Sequence, residues 1–125
     1  MLLNLSEQST EPLHGQISRQ IRARILASRL EEGEGLPSIR VMARLNQVSV
    51  ITVKRAYEDL EHEGLVHARR GKGFFVSRMT GKQRDRLAID RFRDALRPII
   101  RDARAQGLDA EKIHTLIDSV VDDED

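Results

Sequence analysis

The sequence of 125 residues contains no cysteine, which removes disulfides, thiolate metal sites and thiol nucleophiles and leaves a reducing compartment unopposed. The cytoplasm is the expected location. Aromatic residues make up only 3%, so a core has to be built mainly from Leu, Ile, Val and Ala, a composition that favours helices. No apolar run approaches the ~20 residues that cross a bilayer, and MLLNLSEQST has neither the basic start nor the apolar stretch of a signal peptide. No membrane association is expected. The length suits one domain, or a small domain with an appendage, and excludes a large enzyme.

Charge is what the sequence has in quantity. Charged residues are 33% of the chain and the net charge is +1, but the signs are unevenly placed. Residues 1–80 carry 12 basic and 9 acidic side chains, whereas residues 81–125 carry 9 and 11. Between positions 40 and 78 the bases Arg40, Arg44, Lys54, Arg55, Arg69, Arg70, Lys72 and Arg78 face only Glu58, Asp59, Glu61 and Glu63. The four acids lie together, past the Lys54–Arg55 pair. One end of that segment is therefore positive, a modest electrostatic footprint of a polyanion partner.

Periodicity organises the chain into elements. A helix is expected from Glu11-Pro12, with Leu13, Ile17, Ile21, Ile25 and Leu26 at helical spacing up to about Leu30, where EEGEG stops it. Ser38 caps a short second helix carrying Ile39, Met42, Ala43 and Leu45, and Asn46-Gln47-Val48 is a tight turn. Ser49 caps a third helix whose apolar positions Val53, Ala56, Tyr57 and Leu60 share one face, and Gly64 ends it. LVHAR and FFVSR read as two strands around the loop RGKG. Beyond Gly81 the residues Ile89, Phe92, Leu96, Ile99 and Ala103 follow a 3, 4, 3, 4 spacing, the pattern of a packed helical seam. Pro98 lies inside that seam, and a kink or break near Arg97 is expected. Asp109 caps a last helix with Ile113, Leu116, Ile117 and Val120 on one face, and DDED is expected to fray.

A short helix, a tight turn and a second helix describe a helix-turn-helix, whose second helix enters the major groove by its N-terminal end. SVITVKRAYEDL opens with the β-branched Val50, Ile51 and Thr52, which lose rotamer freedom in a helix. With Val53, Tyr57 and Leu60 facing the core, Ile51 and Arg55 point away from it and Thr52 and Lys54 flank them. A binding role accounts for these residues: Thr52 for a phosphate or base edge, Lys54 and Arg55 for phosphates or guanine, and Ile51 for a thymine methyl. Ser49 caps while its helix end attracts phosphate. The alternative is that Val50 and Ile51 pack on the second helix and the two cations are surface charges. The hairpin favours binding, because Arg69, Arg70 and Lys72 surround Gly71 and Gly73 at its tip, although the glycines alone equally suit ordinary turn chemistry.

The stretch EPLHGQISRQIRARILASRLEEGEGLPSIRVMARLNQVSVITVKRAYEDLEHEGLVHARRGKGFFV closely resembles the winged helix-turn-helix of GntR-type bacterial transcriptional regulators, over about residues 11–76. The resemblance implies an α+β, mainly helical fold: a winged helix-turn-helix over residues 1–78, then a short helical dimerisation segment over residues 79–125. It implies that Arg40, Thr52, Lys54 and Gly71 contact DNA, and that Ser49 and Arg70 match positions that often touch an operator. His14 and Gly15 stand where the family has an aromatic and an acidic residue, and Val50 where a polar or basic base-reader is frequent. The short C-terminal part is similar to the YtrA-like subgroup, whose members dimerise through two helices; larger effector domains do not fit. The function so implied is a homodimeric regulator, a repressor, on a palindromic double-stranded DNA operator, released by a small-molecule effector of unknown identity. A competing reading, of another class, is a protein-interaction module built on a winged helix.

Other sites are discounted. His14, His62, His67 and His114 include no i, i+4 pair, and no cysteine completes a metal set. Asp118, Asp122, Asp123, Glu124 and Asp125 lack the glycine and spacing of a calcium loop. GKG joins two strands and is not a P-loop. Neither metal, cofactor nor enzymatic activity is expected.

Overall fold

The computed structural model describes all residues, 1–125. Its elements are α1 (Leu13–Leu26), α2 (Ile39–Asn46), α3 (Val50–His62), β1 (Val66–Arg69), β2 (Gly73–Val76), α4 (Gly81–Ala105) and α5 (Ala110–Glu124). They fall into two compact units, Met1–Arg84 and Asp85–Asp125.

The first unit is held by aliphatic burial. Ile17, Ile21 and Ile25 of α1, Met42 and Ala43 of α2, Val53, Ala56, Tyr57 and Leu60 of α3, and Leu65, Val66 and Val76 around the hairpin are all buried. α1 and α2 each pack on α3 and hardly on each other. Arg22, itself buried, reaches from α1 to the C-cap of α3, where its Nε and Nη2 donate to Glu63 Oε1 and Oε2 at 2.9 and 2.6 Å. Such a two-pronged charged contact fixes orientation as well as distance. Tyr57 spans the unit differently: its hydroxyl donates to Pro37 O at 2.8 Å, and its ring meets Phe74 edge to face at 5.3 Å between centroids.

α1 stops at Leu26, short of the expected Leu30, because Ser28 turns left-handed (φ 60°) and Arg24 O accepts from both Arg29 N and Leu30 N, at 2.7 and 3.1 Å. Leu30 is still buried. Its side chain enters the core from a turn, so the apolar spacing overran the helix. Ser38 and Ser49 are caps, accepting from Val41 N and Thr52 N, and Gln47 is the left-handed residue (φ 54°) between α2 and α3. β1 and β2 pair antiparallel, Val66 opposite Val76 and Arg69 opposite Gly73. Residues 33–36, anticipated only as a helix stop, run beside β2: Leu36 N donates to Phe74 O and Val76 N to Glu34 O, both at 2.9 Å. Gly35 suits this ladder, since a Cβ there would lie 3.3 Å from Phe75 Cε1.

α4 begins at the end of the first unit in a capping box at Thr80 and Gln83, where Gln83 N donates to Thr80 Oγ1 at 3.1 Å and Thr80 N to Gln83 Oε1 at 2.8 Å, and most of its length belongs to the second unit. Of the kink or break expected near Arg97, the break does not occur; α4 continues through Pro98 to Ala105. The proline removes one donor to Asp94 O, and Asp94 is exposed, where water satisfies a freed carbonyl at small cost. Asp109 caps α5 by accepting from Lys112 N at 2.8 Å, and α5 stays helical to Glu124. The acidic tail expected to fray is its last turn. No helix is long and apolar enough to cross a membrane.

Burial pushes the Tyr57 phenol above its ordinary pKa of 10.0. The folded state therefore holds this proton more tightly than the unfolded chain, so the stabilisation is complete below pH 10 and declines as pH rises beyond it. Thermal melts from pH 8 to 11 should show a steeper alkaline loss of stability for the wild type than for Tyr57→Phe; parallel curves would exclude a folded-state shift at Tyr57.

Candidate nucleic-acid interface

The surface around the N-terminus of α3 is built by its opposite face. With Val53, Ala56, Tyr57 and Leu60 buried, a turn of about 100° per residue directs Ile51, Lys54 and Arg55 outward. Ile51 is 77% and Val50 47% exposed, so neither is withdrawn into packing on α2. The Ser49 hydroxyl accepts from Thr52 N at 3.1 Å and lies 2.7 Å from Thr52 Oγ1, which fixes the Thr52 side chain beside the helix end. The amide groups and dipole of that end add a fixed positive potential.

Arg40 is exposed in the first turn of α2, and Arg44 follows one turn later on the same side. Arg44 belonged to the charge count but to no assigned site; its i, i+4 relation to Arg40 is the signal that places it there. The wing tip is the loop Arg70-Gly71-Lys72, all exposed. Gly71 (φ +73°) and Gly73 (φ +102°) adopt the left-handed region with open space around both, so backbone angle and not crowding requires glycine there. Arg69 behaves differently, its guanidinium stacking 4.5 Å above the Phe75 ring of its own wing.

Charge pairing divides the two ends of α3. Arg40, Arg44, Lys54, Arg55, Arg70 and Lys72 have no carboxylate partner. These cations are exposed and form no ion pair. Of the nearby acids, Glu63 holds Arg22 and Glu61 Oε2 accepts from Ala68 N at 3.3 Å, whereas Asp59 lies 3.5 Å from His14 Nδ1 without a hydrogen bond and Glu58 is exposed without an ion pair. No group of His, Asp and Glu residues converges to hold a metal ion.

The second unit presents a different surface. Ile89, Phe92, Ile99, Leu116 and Val120 of the anticipated seam are exposed, as is Val121. Leu96, Ala103 and Ile117 are partly covered. Ile113, at 7% exposure, is already buried within the chain, which removes it from any surface offered to a partner. Between α4 and α5 lies an apolar groove of about 320 Å³, lined among others by Phe92, Leu96, Ile99, Leu116 and Val120.

A helix, a left-handed turn, a second helix with an exposed cationic end and a β-wing with a basic tip define the winged helix-turn-helix class of DNA-binding regulators. Residues 13–76 match the profile of the bacterial regulatory proteins of the gntR family, and the chain belongs to that family. It is 28% identical over 119 residues to the HTH-type transcriptional repressor YtrA of Bacillus subtilis, covering 95% of this chain and 92% of that one. A Listeria monocytogenes structure described as a transcriptional antiterminator superposes with a TM-score of 0.77 at 30% identity, covering 97% of this chain and 90% of that one. YtrA of Sulfolobus acidocaldarius, a GntR-family transcription factor, superposes with a TM-score of 0.64 at 30% identity, covering 84% and 99%.

Removing the α3 cap tests the local geometry. Ser49→Ala should lower stability by about 1 kcal/mol in chemical denaturation and free the Thr52 hydroxyl to rotate; an unchanged midpoint would mean that the Ser49 bonds do not hold the end of α3.

Proposed function

We propose that the chain is a homodimeric repressor that binds a palindromic operator, with the N-terminus of α3 in the major groove and the wing beside it. The observation that carries this is the unpaired positive surface formed by Arg40, Lys54, Arg55, Arg70 and Lys72 around an exposed Ile51. Arg40, Thr52, Lys54 and Gly71 act as contacts, with Ser49, Ile51, Arg55, Arg70 and Lys72 completing the set. Ile51 is suited to a thymine methyl and the cations to phosphates or guanine. The word repressor in the name of the Bacillus subtilis relative supports the direction of control.

Residues 1–78 serve as the DNA-binding part and residues 79–125 as the dimerisation part in this reading. Phe92 and Ile99 are 65% and 62% exposed beside an apolar groove, a contiguous apolar face of the kind that marks an interaction surface. A second copy closing it would join two weak half-site binders, and effective concentration then raises affinity. Ile89, Phe92, Leu96, Ile99, Ala103, Leu116, Ile117 and Val120 form that interface, with Ile113 beneath it. Release by a small effector, implied by the family resemblance, would lower duplex affinity without unfolding the chain.

Gel shifts on duplex from the gene's own upstream region test the reading, with an RNA hairpin alongside because one structural neighbour is described as an antiterminator. Duplex binding should weaken steeply with salt, and Arg40→Ala should cost about 1 to 3 kcal/mol. If neutralising Lys54, Arg55 and Arg70 leaves binding intact, the interaction-module reading replaces this one.

The dimer has its own test. Phe92→Asp places a carboxylate in the apolar face and should convert a dimer to a monomer in analytical ultracentrifugation, with operator affinity falling about 100-fold. A wild type that sediments as a monomer at micromolar concentration would contradict the dimer.

A further inference from the structure

The first six residues form no helix or strand, yet three side-chain carboxamides hold their backbone on both sides. Leu3 N donates to Asn46 Oδ1 at 2.8 Å, and Asn46 Nδ2 donates to Met1 O at 3.1 Å. Asn4 N donates to Gln20 Oε1 at 2.9 Å, and Gln20 Nε2 returns a bond to Asn4 O at 2.7 Å. Ser6 N donates to Gln16 Oε1 at 2.9 Å, and Gln16 Nε2 donates to Ser6 O and Glu11 O, each at 2.8 Å. Each carboxamide therefore does for the arm what a neighbouring strand does in a sheet, supplying one donor and one acceptor.

The placement of the three matters more than their number. Gln16 and Gln20 are one turn apart on α1, and Gln16 is buried. Asn46 is the last residue of α2, next to the left-handed Gln47 that turns the chain into α3. Because α1 and α2 both pack on α3 and hardly on one another, the arm is a strap from α1 to the helix-turn-helix turn.

We propose that this strap, acting through Asn46, sets the orientation of α2 and the turn, and with it the aim of Arg40 and of the N-terminus of α3. Asn46 and Gln20 are thus positioning residues for duplex recognition that touch no nucleic acid. A recognition surface that must match base edges to a fraction of an ångström is sensitive to such a tie, whereas loose phosphate contacts are not. The inference rests on the duplex-binding reading above, and the test separates the two.

Fluorescence anisotropy would compare a duplex from the gene's upstream region with a random duplex of equal length. The proteins are the wild type, Gln20→Ala, Asn46→Ala, a chain lacking residues 1–5, and that deletion combined with Asn46→Ala. Each single change should weaken the specific complex about three- to tenfold, the value of one to two lost hydrogen bonds, and leave the random duplex within about twofold. The losses in the combined variant should be less than additive, because both changes remove the Leu3 and Met1 bonds to Asn46 and only Asn46→Ala also removes the bond from Asn46 Nδ2 to Met42 O. Gln20→Ala alters only an exposed pair, so its effect cannot be ascribed to unfolding.

Amide exchange on the free protein supplies a readout independent of DNA. Exchange at Val48–Thr52 should accelerate in Asn46→Ala and in the deletion while β1 and β2 are unchanged. Unchanged exchange, an equal loss on both duplexes, or additive losses in the combined variant would each overturn the strap. If the two variants show the exchange effect yet the wild type prefers neither duplex, sequence-specific binding is overturned instead.

Discussion

Val53, Ala56, Tyr57 and Leu60 all lie on one side of α3 and all are buried against α1, α2 and the hairpin. Their burial fixes the rotation of the helix about its own axis. Each large apolar side chain contributes about 1.5 to 3 kcal/mol when fully buried, whereas an exposed ion pair contributes about 0 to 1 kcal/mol. Turning α3 by one residue to pair Lys54 or Arg55 with an acid would therefore lose far more than it gained. The direction in which the cations face is decided by the core, not by the charges themselves, and the β-branched Ile51 stays in solvent for the same reason.

That constraint also explains why a nearly neutral chain presents a positive surface. The acids of α3 and its C-cap sit in and just beyond its C-terminal half, where Glu63 is held by Arg22 and Glu61 by a strand amide. Glu58, exposed and without an ion pair, and Glu61, bonded to a neutral amide, keep their charge beyond Lys54 and Arg55, so the positive surface is confined to α2, the first turn of α3 and the wing tip. The arrangement concentrates unpaired positive charge at a helix end whose backbone already attracts anions. Arg69 marks the limit of this pattern, since its guanidinium stacks on Phe75 and braces the wing.

Much of this was legible because it depends on neighbours in sequence. The caps at Ser38, Ser49 and Asp109, the buried face of α3 and the glycine-bearing wing are local signals, and each is present. What escaped depends on partners far along the chain or on a pattern that misleads. The ladder of residues 33–36 exists only because β2 is there to pair with it, and the arm is held by residues 10 to 45 positions away. Leu30 carried the apolar spacing past the true end of α1. The cations of the candidate site were legible at helix starts and the wing tip, but their freedom from ion pairs depends on how side chains far apart in sequence are arranged, Arg22 with Glu63 among them.

The central claim is that the outward side of α2, α3 and the wing is the surface that meets a duplex. An NMR titration of the isotope-labelled chain with duplex from its own upstream region addresses it residue by residue. Amide shifts should concentrate at Arg40, Ser49–Arg55 and Arg70–Lys72 and diminish as salt is raised. Shifts confined to residues 85–125, or no shifts at low salt, would contradict it.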